Sequence, residues 1–364
     1  MIEKQGYVFF SDCEGPISKN DNAFELSSTF IPEGDYFFTL LSKYDDILAY
    51  VVKRPKYRAG YTLKMIVPFL KAYGVTNKSA ETFSKETLVL IPDAKETLKH
   101  VQSILSTYII STSYGQYISA VCEALDFPFQ NTRCTNLNLD KYPLSDYDCN
   151  ILTKNRDEIV SLPMFNVPEG VMSIKDLSER DLNTVRVLDR IFWELTLSMS
   201  VRTVMINTEP LGGEGKAEAV MRIVRDLSLK LNNAIYVGDS ITDADAMRLV
   251  RSNGGLSISF NGNKYAVQEA EIAIMSEDTL ITAILVEILT NHGKGVLFEL
   301  LSNWNLYELS QFIVNDDLRI TTEKKYEAGL PIVELVMDNN VDRLSKDSSE
   351  FRKTVRGERV GKLG

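Results

Sequence analysis

A short apolar run near the start of the chain leads directly into two acidic residues and a glycine. The run covers residues 7–11, and Asp12, Cys13, Glu14 and Gly15 follow it. An apolar run of this length, closed by a glycine, is typical of a buried strand. Open α/β sheets bind their ligands at the carboxyl ends of the strands. The pattern therefore predicts that Asp12 lies at the functional edge of such a sheet.

Three further segments join an apolar run or a helix start to chemically active side chains. They are residues 108–112, which end in Ser111 and Thr112, residues 212–216, which end in Lys216, and residues 235–243, which contain Asp239 and Asp243. With the first segment they provide a carboxylate nucleophile, a hydroxyl, an ammonium and an acidic pair. This set of groups suits magnesium-dependent phosphoryl transfer.

Strand-length apolar runs alternate with helical patterns along most of the chain. We expect core strands at 7–11, 108–112, 203–207, 234–237 and 256–260. One predicted helix begins after Asp93 and has apolar residues at Leu98, Val101 and Ile104, and a second opens at Gly215. Alternation of this kind favours βαβ units. The predicted fold class is α/β, with a Rossmann-like doubly wound parallel sheet and a mainly helical cap.

The four segments, in this order, resemble the haloacid-dehalogenase superfamily. The stretch from 236 to 275 is similar to its phosphoserine-phosphatase branch, because the acidic turn is followed by the glycine-rich segment 254–261 and then by residues 270–274. The resemblance covers the catalytic core, about half of the chain. It implies the reaction more directly than it names the substrate.

The intervals between the motifs are too long for single crossover connections, and this predicts added domains. We expect a catalytic core, a cap, a helical insertion and a C-terminal helical extension, formed respectively by residues 1–18 with 86–140 and 201–290, by 19–85, by 141–200 and by 291–364. Helical patterning fades after about Met337. The final stretch is poor in hydrophobic residues and rich in charges, so it is expected to be mobile.

The resemblance implies a role for each acidic residue. Asp12 would attack phosphorus and form an aspartyl-phosphate, which divides hydrolysis into two easier displacements. Mg²⁺ would bind one oxygen of Asp12, the backbone carbonyl of Glu14, and Asp239, while Asp243 orients this ligand shell. An Asp-rich turn that only caps the following helix is the structural alternative for Asp239 and Asp243.

Three groups are candidates for binding the phosphoryl group. The hydroxyl of Ser111 and the amide of Thr112 can donate to its oxygens, although a Ser-Thr-Ser sequence after a strand also suits a helix N-cap. Lys216 would offset the negative charge. A nucleotide-binding P-loop is excluded around Lys216, because Pro210 replaces its first glycine and Ala217 its Ser or Thr.

Glu14 departs from the family pattern, in which most phosphatases have Asp two residues after the nucleophile to protonate the leaving group. The extra methylene moves the carboxyl by roughly 1 Å, which can cost about a hundredfold in rate unless the loop compensates. Pro16 is also unusual, since family members often have Thr or Ser there. Two alternatives therefore stay open. The chain could be a catalytically weak member that binds a phosphate-bearing ligand or a partner protein, or a phosphotransferase.

Residues 53–58 place four cations, Lys53, Arg54, Lys56 and Arg58, within six residues of an otherwise acidic chain. A small phosphorylated acid would need positive charge as a lid closes over the sheet edge. Arg54 and Arg58 are therefore candidate substrate-binding residues. A solvated surface loop is the alternative.

The composition of the chain limits which partners, cellular locations and metals we expect for it. A formal charge of −10 argues against a nucleic-acid partner. No leader pattern begins the chain and no apolar run approaches the roughly 20 residues that span a bilayer, so we expect a cytoplasmic protein without a membrane partner. The four cysteines lack metal-binding spacing and only two histidines are present, which disfavours zinc. The expected partner is a small phosphorylated metabolite, with a protein partner left open.

Overall fold

The computed structural model describes residues 6–168, 171 and 173–362, and it contains one sheet of seven strands. The strands are β1 (Val8–Ser11), β2 (Ser106–Tyr114), β3 (Thr132–Thr135), β4 (Ala234–Gly238), β5 (Leu256–Phe260), β6 (Ile272–Met275) and β7 (Ile332–Leu335). Their order is β3-β2-β1-β4-β5-β6-β7, and every neighbouring pair is parallel except β6 with β7. The predicted α/β class with a mostly parallel sheet is confirmed. The chain crosses from β2 on one side of β1 to β4 on the other, which opens a crevice at the carboxyl end of β1.

Seventeen α-helices surround the sheet within the described residues. They are α1 (Asn22–Phe30), α2 (Gly34–Asp46), α3 (Thr62–Ala72), α4 (Asn77–Thr87), α5 (Ala94–Ile104), α6 (Gly115–Leu125), α7 (Asp146–Ser161), α8 (Glu179–Asp189), α9 (Thr196–Ser198), α10 (Arg202–Asn207), α11 (Glu214–Asp226), α12 (Ala244–Ser252), α13 (Lys264–Glu269), α14 (Leu280–Ser302), α15 (Leu306–Phe312), α16 (Asp316–Lys325) and α17 (Val341–Arg356). The two helices predicted after Asp93 and at Gly215 correspond to α5 and α11. Short π-helical segments follow α2 and α8, at Ile47–Val51 and Arg190–Leu195.

Both faces of the sheet are covered, because every residue of β1, β4, β5 and β6 is buried. Side chains alternate along a strand, so Phe9 packs on one face while Val8 and Phe10 pack on the other. Apolar residues of α5, α6 and α14 cover the first face, and those of α11, α12 and α13 cover the second. This three-layer arrangement fixes the carboxyl ends of β1, β2 and β4 side by side.

A separate helical layer lies over this edge of the sheet. It is built from α1–α4 and α7–α10, which share one hydrophobic core although they come from two separate segments of the chain. Phe69 of the first segment and Phe192 of the second lie with ring centroids 6.0 Å apart. The predicted cap and the predicted insertion therefore pack together around a single hydrophobic core.

The predicted strand at 203–207 is wrong, because these residues belong to α10. Val201, Val204 and Met205 are buried in the core of the helical layer. Their spacing of three and four residues places them on one face of a helix. An apolar run this short fits either a strand or a helix. Here the packing of these residues in the helical layer stabilises the helix.

Three strands were missed by the sequence analysis, namely β3, β6 and β7. β3 and β7 are edge strands of four residues that are only partly buried. β6 is fully buried but equally short. Hydrophobic periodicity is weak over four residues, so pairing with neighbours defines these strands more than their own sequence does.

α14 has the length and apolar composition of a membrane-spanning helix, so the expectation that the chain has no such run was wrong. Its most apolar window has a mean hydropathy of 1.3, and 61% of that window is buried inside the molecule. Gly293 interrupts the helix with φ 84° and ψ 168°. The half before Gly293 packs against the sheet as a core helix.

Regular structure continues beyond Met337, contrary to the expectation that the pattern ends there. α17 packs beside α13 and β6, and its buried residues are Leu344, Ser345, Ser348 and Arg352. The hydroxyl of Ser348 donates to the carbonyl of Gly262 at 2.7 Å. The last helix is attached to the core by this polar contact and by an apolar cluster in which Leu344 packs with Val267, Ala273 and Met275.

Candidate active site

Asp12 lies immediately after β1, at the crevice between β2 and β4. Its backbone amide donates to the carbonyl of Val237 at 2.9 Å, and the amide of Cys13 donates to its Oδ1 at 2.7 Å. These bonds aim the carboxylate out of the strand and leave Oδ2 directed toward Lys216. Burial and then the nearby Asp243 raise the pKa of Asp12 to about 7, while Lys216 opposes that rise.

Lys216 lies in the first turn of α11 and is fully buried. Its ammonium lies 2.9 Å from Oδ2 of Asp12 and 2.7 Å from Oδ1 of Asp243. Burial alone would lower the pKa of Lys216, but the two carboxylates outweigh it and raise the pKa. A buried ammonium between two carboxylates stays charged and fixes both of them.

Asp243 has its carboxylate surrounded by five donors, one of which is the hydroxyl of Ser240, 3.3 Å from Oδ2. Besides Lys216, the hydroxyl of Tyr236 donates to Oδ1 at 2.8 Å, and the amides of Asp239 and Ser240 both donate to Oδ2 at 3.2 Å. Asp243 therefore holds the turn after β4 and positions Lys216. The side chain also forms a capping box with Ser240 in the 3₁₀ turn Ile241–Asp243. It makes no capping hydrogen bond to α12, so the alternative of a turn that only caps the following helix does not describe it.

Asp239 follows β4 and faces Gly15 across the crevice. Gly15 has φ +110°, and a Cβ at this position would lie 2.1 Å from Oδ2 of Asp239. Only glycine combines that backbone angle with such a close approach. The glycine in the first motif is therefore required for the carboxylates of Asp12 and Asp239 to come together.

Three carboxylates form a cluster that suits a divalent cation. Asp12, Asp239 and Asp243 each offer an oxygen within 4.8 Å of the others. Oδ1 of Asp239 is buried and has no hydrogen-bond partner among the described residues. A buried polar atom normally has a partner, and carboxylate oxygens are the ligands that Mg²⁺ prefers. Asp12 and Asp239 therefore fit a magnesium ion, while Asp243 supports them.

Glu14 extends from the same loop toward the helical layer. Its Oε1 accepts a hydrogen bond of 2.6 Å from the amide of Asn22, the first residue of α1. Burial and then the charge of Asp21 raise the pKa of Glu14 well above its usual range. A raised pKa lets a carboxyl keep its proton to a higher pH than usual, and a protonated carboxyl can act as a general acid.

Ser111 and Thr112 lie near the end of β2, where the register with β3 shifts between Ile110 and Tyr114. The hydroxyl of Ser111 donates to that of Ser113 at 3.1 Å, and the hydroxyl of Thr112 donates to the carbonyl of Leu211 at 3.0 Å. Both residues line the same cavity as Asp12. The predicted phosphate-binding residues are thus brought together with the predicted nucleophile.

Arg54 and Arg58 do not line this cavity as the structure describes it. Nη2 of Arg54 lies 2.7 Å from both carboxylate oxygens of Asp189, and its guanidinium stacks over Trp193. Arg58 lies beside the start of α11, where its Nη2 is 3.7 Å from Glu218. Arg54 thus belongs to the packing of the helical layer, and Arg58 forms a half-exposed ion pair.

The sequence analysis did not identify Arg352 and Arg356 of α17, whose side chains contact Asp239. Both guanidiniums contact Oδ2 of Asp239, Arg356 at 3.1 Å and Arg352 through Nη1. Burial lowers the pKa of Arg352, an effect that Asp239 opposes. Their spacing of four residues on a helix was visible in the sequence, since it places both on one face.

The cavity enclosed by these groups has a volume of about 100 Å³. Its walls include six carboxylates and two cations, namely Asp12, Glu14, Asp21, Asp45, Asp46, Asp239, Arg352 and Arg356. Burial raises the pKa of Asp45 to about 6, and burial together with Asp45 raises that of Asp46 to about 8. The helical layer contributes α2 and the loop before α3 to this wall, so the cavity lies between the layer and the sheet edge.

Comparison with solved structures finds a full-length counterpart. The structure of gene product AF1437 from Archaeoglobus fulgidus matches with a TM-score of 0.79 and 28% sequence identity over 99% of each chain. A substrate-bound phosphoserine phosphatase matches at 0.47 and 15%, over 78% of this chain and 99% of that one. A HAD family hydrolase from Salmonella enterica serovar Typhi matches at 0.44 and 10%, over 73% and 66%.

The likeness to these two structures is below a TM-score of 0.5, so the resemblance to the haloacid-dehalogenase superfamily, on its phosphoserine-phosphatase side, continues to rest on the four motifs. No protein-family profile matches the chain, and no curated protein sequence matches it. The archaeal counterpart extends over the helical layer and the C-terminal helices as well as the core, so the whole architecture recurs outside this chain.

Proposed function

We propose that this chain is a magnesium-dependent phosphatase that hydrolyses a small phosphorylated metabolite through an aspartyl-phosphate on Asp12. The supporting observation is the contact of Asp12 with buried Lys216, beside the unpartnered Oδ1 of Asp239. A carboxylate held next to an ammonium and a cation-binding oxygen is arranged for attack on a phosphoryl group. Bound Mg²⁺ would neutralise charge that develops on the transferred group.

In the first displacement, an oxygen of Asp12 forms a bond to phosphorus while the bond from phosphorus to the ester oxygen breaks. The departing oxygen takes the proton of Glu14, whose raised pKa keeps that proton available. In the second displacement, Glu14 removes a proton from water, and the water oxygen forms a bond to phosphorus while the bond from phosphorus to the oxygen of Asp12 breaks. The products are inorganic phosphate and the regenerated carboxylate of Asp12.

Two further groups would bind the phosphoryl oxygens. Ser111 lines the cavity beside Asp12, and Thr112 presents the next backbone amide. Lys216 is held by Asp243, so its charge is already in place when the substrate arrives. Preorganised charge of this kind stabilises the transition state without reorganisation during the reaction.

The small volume of the cavity supports a small substrate rather than a macromolecule. Its wall is completed by Gly60 and Thr62 of the helical layer, which leaves a volume of about 100 Å³. We propose a cytoplasmic metabolite phosphomonoester, in keeping with an acidic chain of net charge −10. Phosphotransfer to an acceptor other than water uses the same aspartyl-phosphate and is a second outcome of the same site.

A catalytically weak binding protein is the competing proposal, and Glu14 is the observation that favours it. The carboxyl of Glu14 is engaged by the amide of Asn22 rather than free to face the leaving group. Such an engaged acid would protonate a leaving group slowly unless the bond opens during turnover.

The test is an assay of the purified chain against a panel of phosphorylated metabolites, with and without Mg²⁺. We expect Mg²⁺-dependent phosphate release, its loss in Asp12→Asn, and normal activity in Asp226→Asn, which changes an exposed aspartate of α11. Acid-quenched wild-type protein should contain a phosphoryl group that hydroxylamine removes. Phosphate binding without turnover would favour the binding protein instead. Release that survives Asp12→Asn would refute the nucleophile.

A further inference from the structure

The last helix of the chain places two cations inside the candidate metal site. Nη1 of Arg352 donates to Oδ2 of Asp239 and, at 3.2 Å, to its main-chain carbonyl. Nη1 of Arg356 lies 3.1 Å from the same Oδ2. The side chains of Arg352 and Arg356 are only 4% and 3% exposed. Both guanidiniums are therefore part of the site rather than of its solvent-exposed rim.

Three cations already lie beside the carboxylate cluster. Lys216 contacts Asp12 and Asp243, and the two guanidiniums contact Asp239. Arg352 and Arg356 together carry the charge of one divalent cation, and they place it on Asp239. A divalent cation that entered while both guanidiniums stayed in place would meet two like charges at short range in a buried site.

Arg356 also connects the metal site to the helical layer. Its Nε donates to the carbonyl of Lys19 at 3.0 Å, and its Nη2 donates to the carbonyl of Asn20. These two residues directly precede α1. A movement of α17 away from Asp239 would therefore loosen the contact between the sheet edge and the segment that leads into the helical layer.

We propose that Arg352 and Arg356 are an internal cation that competes with the divalent cation for Asp239: the ion binds at the unpartnered Oδ1, and its charge loosens the hold of the two guanidiniums of α17 on Oδ2. The inference rests on the metal site of the proposed function and adds a control element to it. Without metal, the arginines keep Asp239 neutralised and tie the core to α1. When the metal binds, the ion replaces the guanidiniums as the main partner of Asp239, and α17 packs less firmly against the core.

The first test measures binding of Mn²⁺, as a spectroscopic substitute for Mg²⁺, to the full chain without substrate. Arg352→Gln combined with Arg356→Gln should bind Mn²⁺ at least about tenfold more tightly than the wild type, because the competing charges are gone. Lys353→Gln is the matched control. It removes a cation from the same turn that pairs with Glu350 at 2.6 Å and does not contact Asp239. Its affinity should equal that of the wild type.

Removal of both arginines leaves Asp239 buried without a partner and could prevent folding. Arg352→Lys and Arg356→Lys therefore accompany the first pair, since they keep the charge and should bind Mn²⁺ within about threefold of wild type. Thermal unfolding is measured with and without saturating Mn²⁺. The gain in Tm on adding Mn²⁺ should be larger for the glutamine variants than for the wild type.

A second readout is amide hydrogen exchange of α17 in the wild type. Mn²⁺ should increase exchange in α17 while α16, which is remote from Asp239, stays unchanged. Slower exchange in α17, or equal Mn²⁺ affinity in wild type and the glutamine variants, would overturn the competition while leaving the metal site intact. Absence of Mn²⁺ binding in every variant would overturn both this inference and the metal dependence of the proposed function.

Discussion

The carboxyl of Glu14 accepts a 2.6 Å hydrogen bond from the backbone amide of Asn22. This bond joins the catalytic loop after β1 to the first turn of α1, where the amides lack partners within the helix. Asp21 caps the same helix through the amide of Phe24 at 3.0 Å. The longer side chain of Glu14 thus has a structural use, because it reaches the helical layer from the sheet edge.

Shortening this residue tests that relationship. Glu14→Asp withdraws the carboxyl by about 1 Å, so we expect the bond to Asn22 to be lost and kcat to fall by roughly ten- to a hundredfold. The measurement is steady-state kinetics on the best substrate of the metabolite panel. Unchanged or faster turnover would mean that Glu14 is a displaced general acid and that the contact with α1 is incidental.

Glu14→Gln separates the two roles of this side chain. Its amide oxygen can still accept from Asn22, but it has no proton to give to the leaving group. We expect stability close to wild type and a loss of turnover that is smaller for substrates with acidic leaving groups, such as aryl phosphates. Equal losses for aryl and alkyl phosphates would argue against a role in protonation.

The sequence predicted the residues that follow strands, because strand ends are defined locally. Asp12, Ser111 and Asp239 each come at or just after an apolar run, and Lys216 opens a helix with clear periodicity. Parallel strands place such residues at one edge, so their convergence followed from the fold class. Their catalytic roles remain predictions.

Arg352 and Arg356 could not be predicted in the same way. The buried residues of α17 are Leu344, Ser345, Ser348 and Arg352, and the apolar pattern of the helix does not indicate that an arginine on it is buried. The contact of Arg352 with Asp239 joins residues 113 positions apart. Local patterns carry no information on such a pairing, which depends on where the chain returns after β7.

Lys216 is expected to be essential for stability as well as for activity. Lys216→Met keeps the length of the side chain but leaves Asp12 and Asp243 buried beside each other without a counter-charge. The free energy of unfolding should fall by about 3 kcal/mol or more. Urea denaturation followed by circular dichroism measures this, with Lys230→Met, at an exposed position, as the control. A variant as stable as wild type would show that the buried carboxylates bind protons instead.

Arg54 is expected to stabilise the helical layer rather than to bind substrate. Arg54→Met removes the bonds to Asp189 and the stacking on Trp193. Because the ion pair is part-exposed, the expected loss is about 1 kcal/mol of unfolding free energy, with the Michaelis constant unchanged. Arg58→Met should change neither quantity. A selective rise in the Michaelis constant for the true substrate would instead indicate that residues 53–58 bind the substrate.

Asp45 should make stability depend on pH, because it is buried where it fixes the loop over the cavity. It accepts hydrogen bonds of 2.7 Å from both the hydroxyl of Tyr57 and the amide of Gly60. Burial nevertheless raises its pKa to about 6, since these bonds only partly offset the loss of solvation. The folded protein therefore keeps the proton of Asp45 at pH values where the unfolded chain, with a pKa near 3.9, has lost it.

A raised carboxyl pKa means that the stabilising contribution is complete below about pH 4 and is lost as the pH rises to about 6. Asp45→Asn cannot titrate, so the unfolding free energy of the wild type relative to this variant should fall by up to about 3 kcal/mol across that interval and stay level above it. Urea unfolding of both proteins at a series of pH values measures this difference in unfolding free energy. Asp226→Asn, at an exposed position, is the control. Its difference in unfolding free energy from wild type should change little with pH. A constant gap between wild type and Asp45→Asn would show that Tyr57 and Gly60 hold the carboxylate ionised throughout.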